Sequence, residues 1–194
     1  MMKSIGVKII RVAVFISGNG TNLKNLINFS KKKKSNFKIV LIISSKFRAK
    51  GLNYANKFKI NKKIVDFHNS KKAENKILKE LKKNEINLIC LAGFMKILSE
   101  NFIKKFSGKI INIHPSLLPK YKGLNTHQRA INNKEKYSGC TVHYVNSKLD
   151  SGKIILQKKV KIFKNDTVDK LAKRVLKQEY ILYPKAIQKT LSNL

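Results

Sequence analysis

Cysteine occurs only twice in the 194 residues, and proline only three times. Cys90 and Cys140 lie in strand-like apolar surroundings and supply neither a disulfide framework nor a zinc-ligand spacing. Reduced thiols in a cytoplasmic protein that holds no metal are therefore the expectation. No apolar run is long enough to span a membrane. The opening residues, Met-Met-Lys-Ser-Ile-Gly-Val-Lys, lead into no apolar stretch ending in a small-residue cleavage site, so no signal peptide is read. Acid is the scarcest chemistry: 10 Asp and Glu stand against 43 Lys and Arg, for a formal net charge of +33.

Such a charge first suggests a nucleic-acid partner, because clustered cations release counterions from phosphates. The charge is nearly all lysine, however, and runs from Lys3 to Lys189 without gathering on one element. Its one dense run, Lys31 to Lys34, falls at a helix end, where cations suit the helix dipole. Aromatic residues are not interleaved with the basic ones as a base-stacking platform requires. Nucleic acid is not the expected partner, although the field would draw in small anions.

The length suits one domain across residues 1–194, and 42% hydrophobic residues suffice for a core. Strand-like runs at 11–17, 37–44, 63–67 and 86–92 alternate with helical patterns at 21–30, 48–58 and 70–83. A short helix over 99–106 precedes a strand at 109–114; a helix over 124–132 and strands over 139–145 and 153–162 follow. Asp166 is a suitable N-cap for a long last helix through Lys189, with Asp169 favourable in its first turn. Continuous apolar strands between helices predict an α/β fold: a doubly wound, mostly parallel, Rossmann-like sheet of about seven strands, with helices on both faces.

The most informative stretch is Ile-Asn-Ile-His-Pro-Ser-Leu-Leu-Pro-Lys-Tyr-Lys from Ile111. Asn112 and His114 are two apart, so a strand presents both on one face, and Pro115 ends that strand. An amide able to bind an oxyanion thus lies beside an imidazole able to move a proton. Ser17-Gly18-Asn19-Gly20-Thr21-Asn22 opens the first helix with glycines and free amides, a setting for a simple phosphate and equally for an ordinary tight turn. It lacks the Gly-Lys-Ser/Thr ending of a nucleoside-triphosphate loop. Phe94, Met95, Ile97 and Leu98 leave the fourth strand where α/β sheets bind ligands, as a slot for a flat heterocycle or as core. Asp150, in the loop Asn146-Ser147-Lys148-Leu149-Asp150-Ser151-Gly152, would raise the pKa of His114 if beside it, and is equally a good turn residue. His143 reads as a strand histidine satisfied inside the sheet, and His127 as a helix-face residue supporting the site.

These segments, with Leu91-Ala-Gly-Phe-Met-Lys-Ile-Leu-Ser99, Gly139-Cys-Thr-Val-His-Tyr-Val145, Leu149-Asp-Ser-Gly152 and Gln178-Glu179 before Tyr183-Pro184, resemble the folate-dependent glycinamide ribonucleotide formyltransferases of purine synthesis. The Asn-x-His-Pro-Ser-Leu-Leu-Pro core is common to folate formyl-transfer enzymes; the Ser-Gly-Asn-Gly-Thr-Asn loop and the length narrow the choice. The resemblance covers nearly the whole chain. It implies a formyltransferase fold, with Asn112, His114 and Asp150 catalytic, and Gly20, Thr21 and Asn22 on the ribose phosphate. By the same resemblance Leu176, Lys177, Gln178 and Glu179 meet the glycinamide end. Met95, Lys96, Ile97 and Leu98, with Asn112 and with Asn146, Ser147, Lys148, Leu149 and Asp150, line the folate slot. The co-substrate implied is 10-formyltetrahydrofolate, with His114 protonated and kept charged by Asp150. Lys122 and Asn125 depart from the Pro and His usual in the family, and Lys96 stands where some relatives carry Arg. No arginine after the third strand matches the one that meets the folate tail; Lys71 and Lys72 are the nearest substitutes.

Two relatives on the same scaffold are rivals. Formyltetrahydrofolate deformylase would carry an N-terminal regulatory domain, for which some ten residues before the first strand leave no room. Methionyl-tRNA formyltransferase would carry an RNA-contacting C-terminal domain, whereas this sequence ends after one long helix. A basic nucleic-acid-binding module is the non-enzyme alternative, and intact Asn112, His114 and Asp150 argue against it. Monomer and homodimer are both compatible with the sequence. DNA or RNA binding is expected to be weak and to collapse with added salt; tight, sequence-selective binding at physiological salt in a filter or anisotropy assay would reverse that reading.

Overall fold

The computed structural model describes residues 9–192. Seven strands form one sheet: β1 (Ile10–Ile16), β2 (Phe37–Ser44), β3 (Asn61–Ile64), β4 (Leu88–Leu91), β5 (Lys109–His114), β6 (Tyr137–Tyr144) and β7 (Ile154–Lys161). The helices are α1 (Thr21–Ser30), α2 (Leu52–Lys57), α3 (Ser70–Lys83), α4 (Glu100–Lys105), α5 (Thr126–Asn132) and α6 (Val168–Leu191). Strand order is β3-β2-β1-β4-β5-β6-β7. The first five strands of that order run parallel, and β6 and β7 form an antiparallel pair added at β5.

Alternation along β1 builds two cores. Val12, Val14 and Ile16 pack with Leu23, Leu26, Val175, Tyr183 and Ile187 from α1 and α6. Ala13 and Phe15 face the other way, toward Ala73, Ile77, Leu81 and Phe102 from α3 and α4. With both faces covered, β1 carries apolar residues at every position from Val12 to Ile16, all fully buried. The order of connection reverses between β1 and β4, so the crevice beyond their carboxyl ends is the ligand position of such sheets. Tyr183 braces the neighbouring strand pair, its hydroxyl donating to the carbonyl of Leu91 at 2.8 Å.

Some element ends differ from the sequence expectation for physical reasons. The third strand lies at 61–64 rather than 63–67, because its ladder with β2 closes at Ser44↔Ile64. Val65 and Phe67 leave the ladder but turn into the core over α3. The second helix starts at Leu52, after a turn in which Gly51 N–H bonds the carbonyl of Gly18. Helix α5 starts at Thr126, because Asn125 sits at φ 56°, in the left-handed region. Thr167, not Asp166, caps α6, accepting from the Lys170 N–H. Asp166 instead takes both guanidinium nitrogens of Arg174 at 2.7 Å, and this pairing holds its carboxyl down at about 2.

Gly139 is required by close approach where β6 meets β7. A Cβ there would lie 2.1 Å from the Lys158 carbonyl oxygen and 2.6 Å from the Leu117 side chain, next to the loop that follows His114. Gly139→Ala is expected to destabilise by about 2 kcal/mol, a fall in Tm of roughly 4–8 °C by thermal denaturation.

Candidate active site

Strand β5 ends in the crevice and delivers Asn112 and His114 to one face, as their spacing requires. Asp150 closes on both: its Oδ1 lies 3.4 Å from Asn112 Nδ2 and its Oδ2 3.4 Å from His114 Nδ1. The carboxylate is held by the backbone N–H of Gly123, donating to Oδ2 at 2.9 Å. Antiparallel pairing sets His143 of β6 directly opposite Asn112, so it joins the same face. Its Nε2 is 3.2 Å from Asn112 Nδ2 and 3.6 Å from Asp150 Oδ1. The sequence expectation for His143 is half met: it is buried in the sheet, yet it is also a fourth member of the cluster.

Hydrogen-bond partners assign the ring protons. His114 Nε2 is 2.8 Å from the Tyr121 carbonyl, which can only accept, so Nε2 carries hydrogen. His143 Nδ1 is likewise 2.8 Å from the Tyr144 carbonyl and so carries hydrogen, while its Nε2 faces the Asn112 amide and Asp150.

The expected charged His114 is not what this environment favours. Burial lowers its pKa below the ordinary imidazole value; the Tyr121 carbonyl and the Asp150 charge oppose this without overcoming it. The side chain is only 7% exposed, so loss of hydration outweighs one carboxylate at 3.4 Å. Burial raises the Asp150 carboxyl, but His143, the Gly123 N–H and the charge of His114 together bring it below the ordinary carboxylate range. His127 on α5 has a buried Nδ1 without a hydrogen-bond partner, and burial followed by the charge of His114 lowers its pKa.

The proposed phosphate turn lies beyond the carboxyl end of β1. Gly20 has φ 70° and stands so close to Gly51 that a Cβ would come 2.6 Å from its Cα. Helix α1 has no side chain bonded at its cap and no acid in its first turn, leaving its amino end open to an anion. Thr21 is exposed and Asn22 buried. Asn22 Nδ2 donates to Glu179 Oε2 at 2.7 Å, and burial raises the Glu179 carboxyl. The run from Leu176 to Glu179 is not one face: Glu179 is buried and Leu176 half-buried, whereas Lys177 turns to solvent.

The segment after β4 divides the two readings of its residues. Phe94 packs against Phe15 and Phe67, and Leu98 is buried in the same core. Met95 and Ile97 stand 59% and 71% exposed, with Lys96 between them. In the loop after β6, Asn146, Ser147, Lys148 and Leu149 are exposed as well. Lys71 and Lys72 are exposed in the first turn of α3. Ser17 ties the two turns together: its N–H bonds the Gly93 carbonyl at 3.0 Å, and its hydroxyl accepts the Met95 N–H at 2.8 Å. Lys122 bonds Ser151 through its ammonium at 2.6 Å, joining the loop after His114 to the Asp150 loop.

Sequence reasoning left out the Tyr121 carbonyl, the Gly123 N–H and the Ser17 clamp. Backbone partners have no residue-type signal. An open groove of about 610 Å³ lined by Leu117, Tyr121, Glu135 and Tyr137 contains none of Asn112, His114 or Asp150 in its walls.

Acid is expected to weaken the fold through this cluster. Because the folded His114 pKa is depressed, the unfolded chain binds more protons between that value and about 6.5. The contribution of neutral His114 is therefore complete above about 6.5 and lost as pH falls toward the folded value. Asp150→Asn removes an influence that raises the imidazole pKa, so its titration midpoint should move further down by NMR; an upward move would contradict the geometry.

The sequence pattern of the family described as Formyl transferase matches residues 10–187. The chain is 44% identical to the phosphoribosylglycinamide formyltransferase of Haemophilus influenzae, over 92% of this chain and 85% of that protein. The crystal structure of phosphoribosylglycinamide formyltransferase from Brucella melitensis superposes with a TM-score of 0.89 at 43% identity, covering 94% of this chain and 95% of that one. The trifunctional purine biosynthetic protein adenosine-3 of Gallus gallus is 43% identical over 92% of this chain, which spans only 18% of its length. By sequence, fold and coverage together, the chain belongs to the formyl transferase family, among the phosphoribosylglycinamide formyltransferases.

Proposed function

We propose that the chain moves the formyl group of 10-formyltetrahydrofolate to the amine of glycinamide ribonucleotide, giving N-formylglycinamide ribonucleotide and tetrahydrofolate in de novo purine (IMP) synthesis. The observation that carries this reading is the convergence of Asn112, His114 and Asp150 at the carboxyl end of β5. The amine attacks the formyl carbon, and the developing oxyanion accepts from the Asn112 amide. Neutral His114 takes the proton released by the amine, and Asp150, 3.4 Å from Nδ1, stabilises the imidazolium formed. The proton then passes to the folate nitrogen as the C–N bond to the formyl carbon breaks. His114 is thus charged during the reaction rather than before it.

Glycinamide ribonucleotide lies with its phosphate on Gly20, Thr21 and Asn22 and its glycinamide end against Glu179. The hydrogen bond from Asn22 to Glu179 supports this placement, since it sets both groups at one end of the crevice. Exposed Met95 and Ile97 offer apolar surface for the pterin. Residues 9–192 form this one catalytic unit. Two buried free thiols, Cys90 and Cys140, suit a cytoplasmic enzyme, and burial pushes the Cys140 thiol up to about 12. No helix among the described residues is long and apolar enough to cross a membrane.

The test is formyl transfer from 10-formyltetrahydrofolate with glycinamide ribonucleotide, water or methionyl-tRNA as acceptor; turnover is expected with the first, and preference for either other acceptor would refute the assignment. His114→Ala should lower kcat by about a hundred- to ten-thousand-fold while glycinamide ribonucleotide binding, read by calorimetry, stays largely in place. Retained turnover would remove His114 from the mechanism.

A further inference from the structure

Pro184 lies inside α6 and has no N–H, so the carbonyl four residues earlier, that of Tyr180, lacks its helical donor. The missing bond is supplied from another helix: Asn25 Nδ2 of α1 donates to the Tyr180 oxygen at 2.8 Å. Asn22 lies three residues before Asn25, on the same side of α1, and donates to Glu179, the neighbour of Tyr180. The two helices are therefore pinned at consecutive residues of α6 by two amides of α1. Asn22 Oδ1 is buried without a partner, so the Glu179 bond is the one this amide makes at its buried end.

We propose that Asn25 is a positioning residue that sets the distance between the amino end of α1 and the Glu179 carboxylate. This rests on the placement of glycinamide ribonucleotide between those groups. A slip of α1 along α6 by one residue, about 1.5 Å, breaks both amide bonds at once. The span between the phosphate turn and Glu179 then no longer matches a substrate held at both ends. Asn25 touches neither end; it acts through the register of two helices. The carbonyl left free by Pro184 makes this bond more than an incidental surface contact, because an unpaired backbone acceptor in a half-buried helix contact is unfavourable.

The test is a double-mutant cycle on the full chain. Asn25→Ala and the near-isosteric Asn25→Asp, which cannot donate to a carbonyl, should each raise KM for glycinamide ribonucleotide about fivefold, the equivalent of one hydrogen bond. Both kcat and the KM for 10-formyltetrahydrofolate should stay as in wild type. Pro184→Ala restores an N–H to the helix and gives the Tyr180 carbonyl a local donor, so adding Asn25→Ala to it should change KM little further. Unchanged KM in Asn25→Ala, equal loss of kcat and of affinity for both substrates, or fully additive effects with Pro184→Ala would each overturn the proposal. Thermal denaturation of the same four proteins without ligand reads the bond itself: coupling between the two positions is expected, and its absence counts against the latch. Should wild type fail to formylate glycinamide ribonucleotide, the functional reading falls, while this ligand-free cycle still decides whether the bond exists.

Discussion

A carboxylate with a side chain only 8% exposed is unfavourable unless its lost hydration is replaced, and at Asp150 the Asn112 amide and the Gly123 N–H supply donors. Oδ1 faces the Asn112 amide and His143; Oδ2 faces the Gly123 N–H and His114. Those groups belong to β5, to β6 and to the loop between β5 and α5. Asp150 itself has φ 45°, a left-handed conformation that costs an L-residue free energy and persists where surrounding contacts over-determine it. One buried charge thus gathers the end of the central sheet, the added antiparallel pair and the loop over the site. The same burial lowers the pKa of His114.

A second polar pair, Asn22 with Glu179, works on different terms. Glu179 has one amide partner, from Asn22, and burial raises its carboxyl. Side-chain hydroxyls tie the surrounding turns and strands together. Ser17 joins the turns after β1 and β4, and Tyr183 of α6 reaches the Leu91 carbonyl from below. The α1–α6 contact adds a register between the phosphate turn and Glu179. Few of these restraints come from the scarce charged acids; most are single hydrogen bonds from neutral side chains to backbone.

Much of this was legible in residue order. The alternation of apolar runs and amphipathic segments called for a doubly wound α/β sheet, and the 70–83 helix has the expected bounds. Asn112 and His114 two apart, stopped by Pro115, already placed two side chains on one face. The cap falls at Thr167 and not Asp166 because Arg174, two turns into α6, takes that carboxylate through two bonds. From spacing alone His143 reads as a strand histidine satisfied inside the sheet, because its place in the cluster depends on the antiparallel register Asn112↔His143, which leaves no trace in spacing.

What the sequence by itself determined were the local periods: which residues share a face of one strand or helix, where turns break them, and the family these motifs mark. Tertiary structure alone decided which faces meet and how dry they become. Asn25 and Tyr180 lie 155 positions apart, and nothing near either announces that Pro184 has freed a carbonyl for that amide. The proton on His114 was likewise beyond local reading. Its pKa is a sum of hydration lost to every packed neighbour and of charges brought near by the fold, and such sums exist only once the chain is closed on itself.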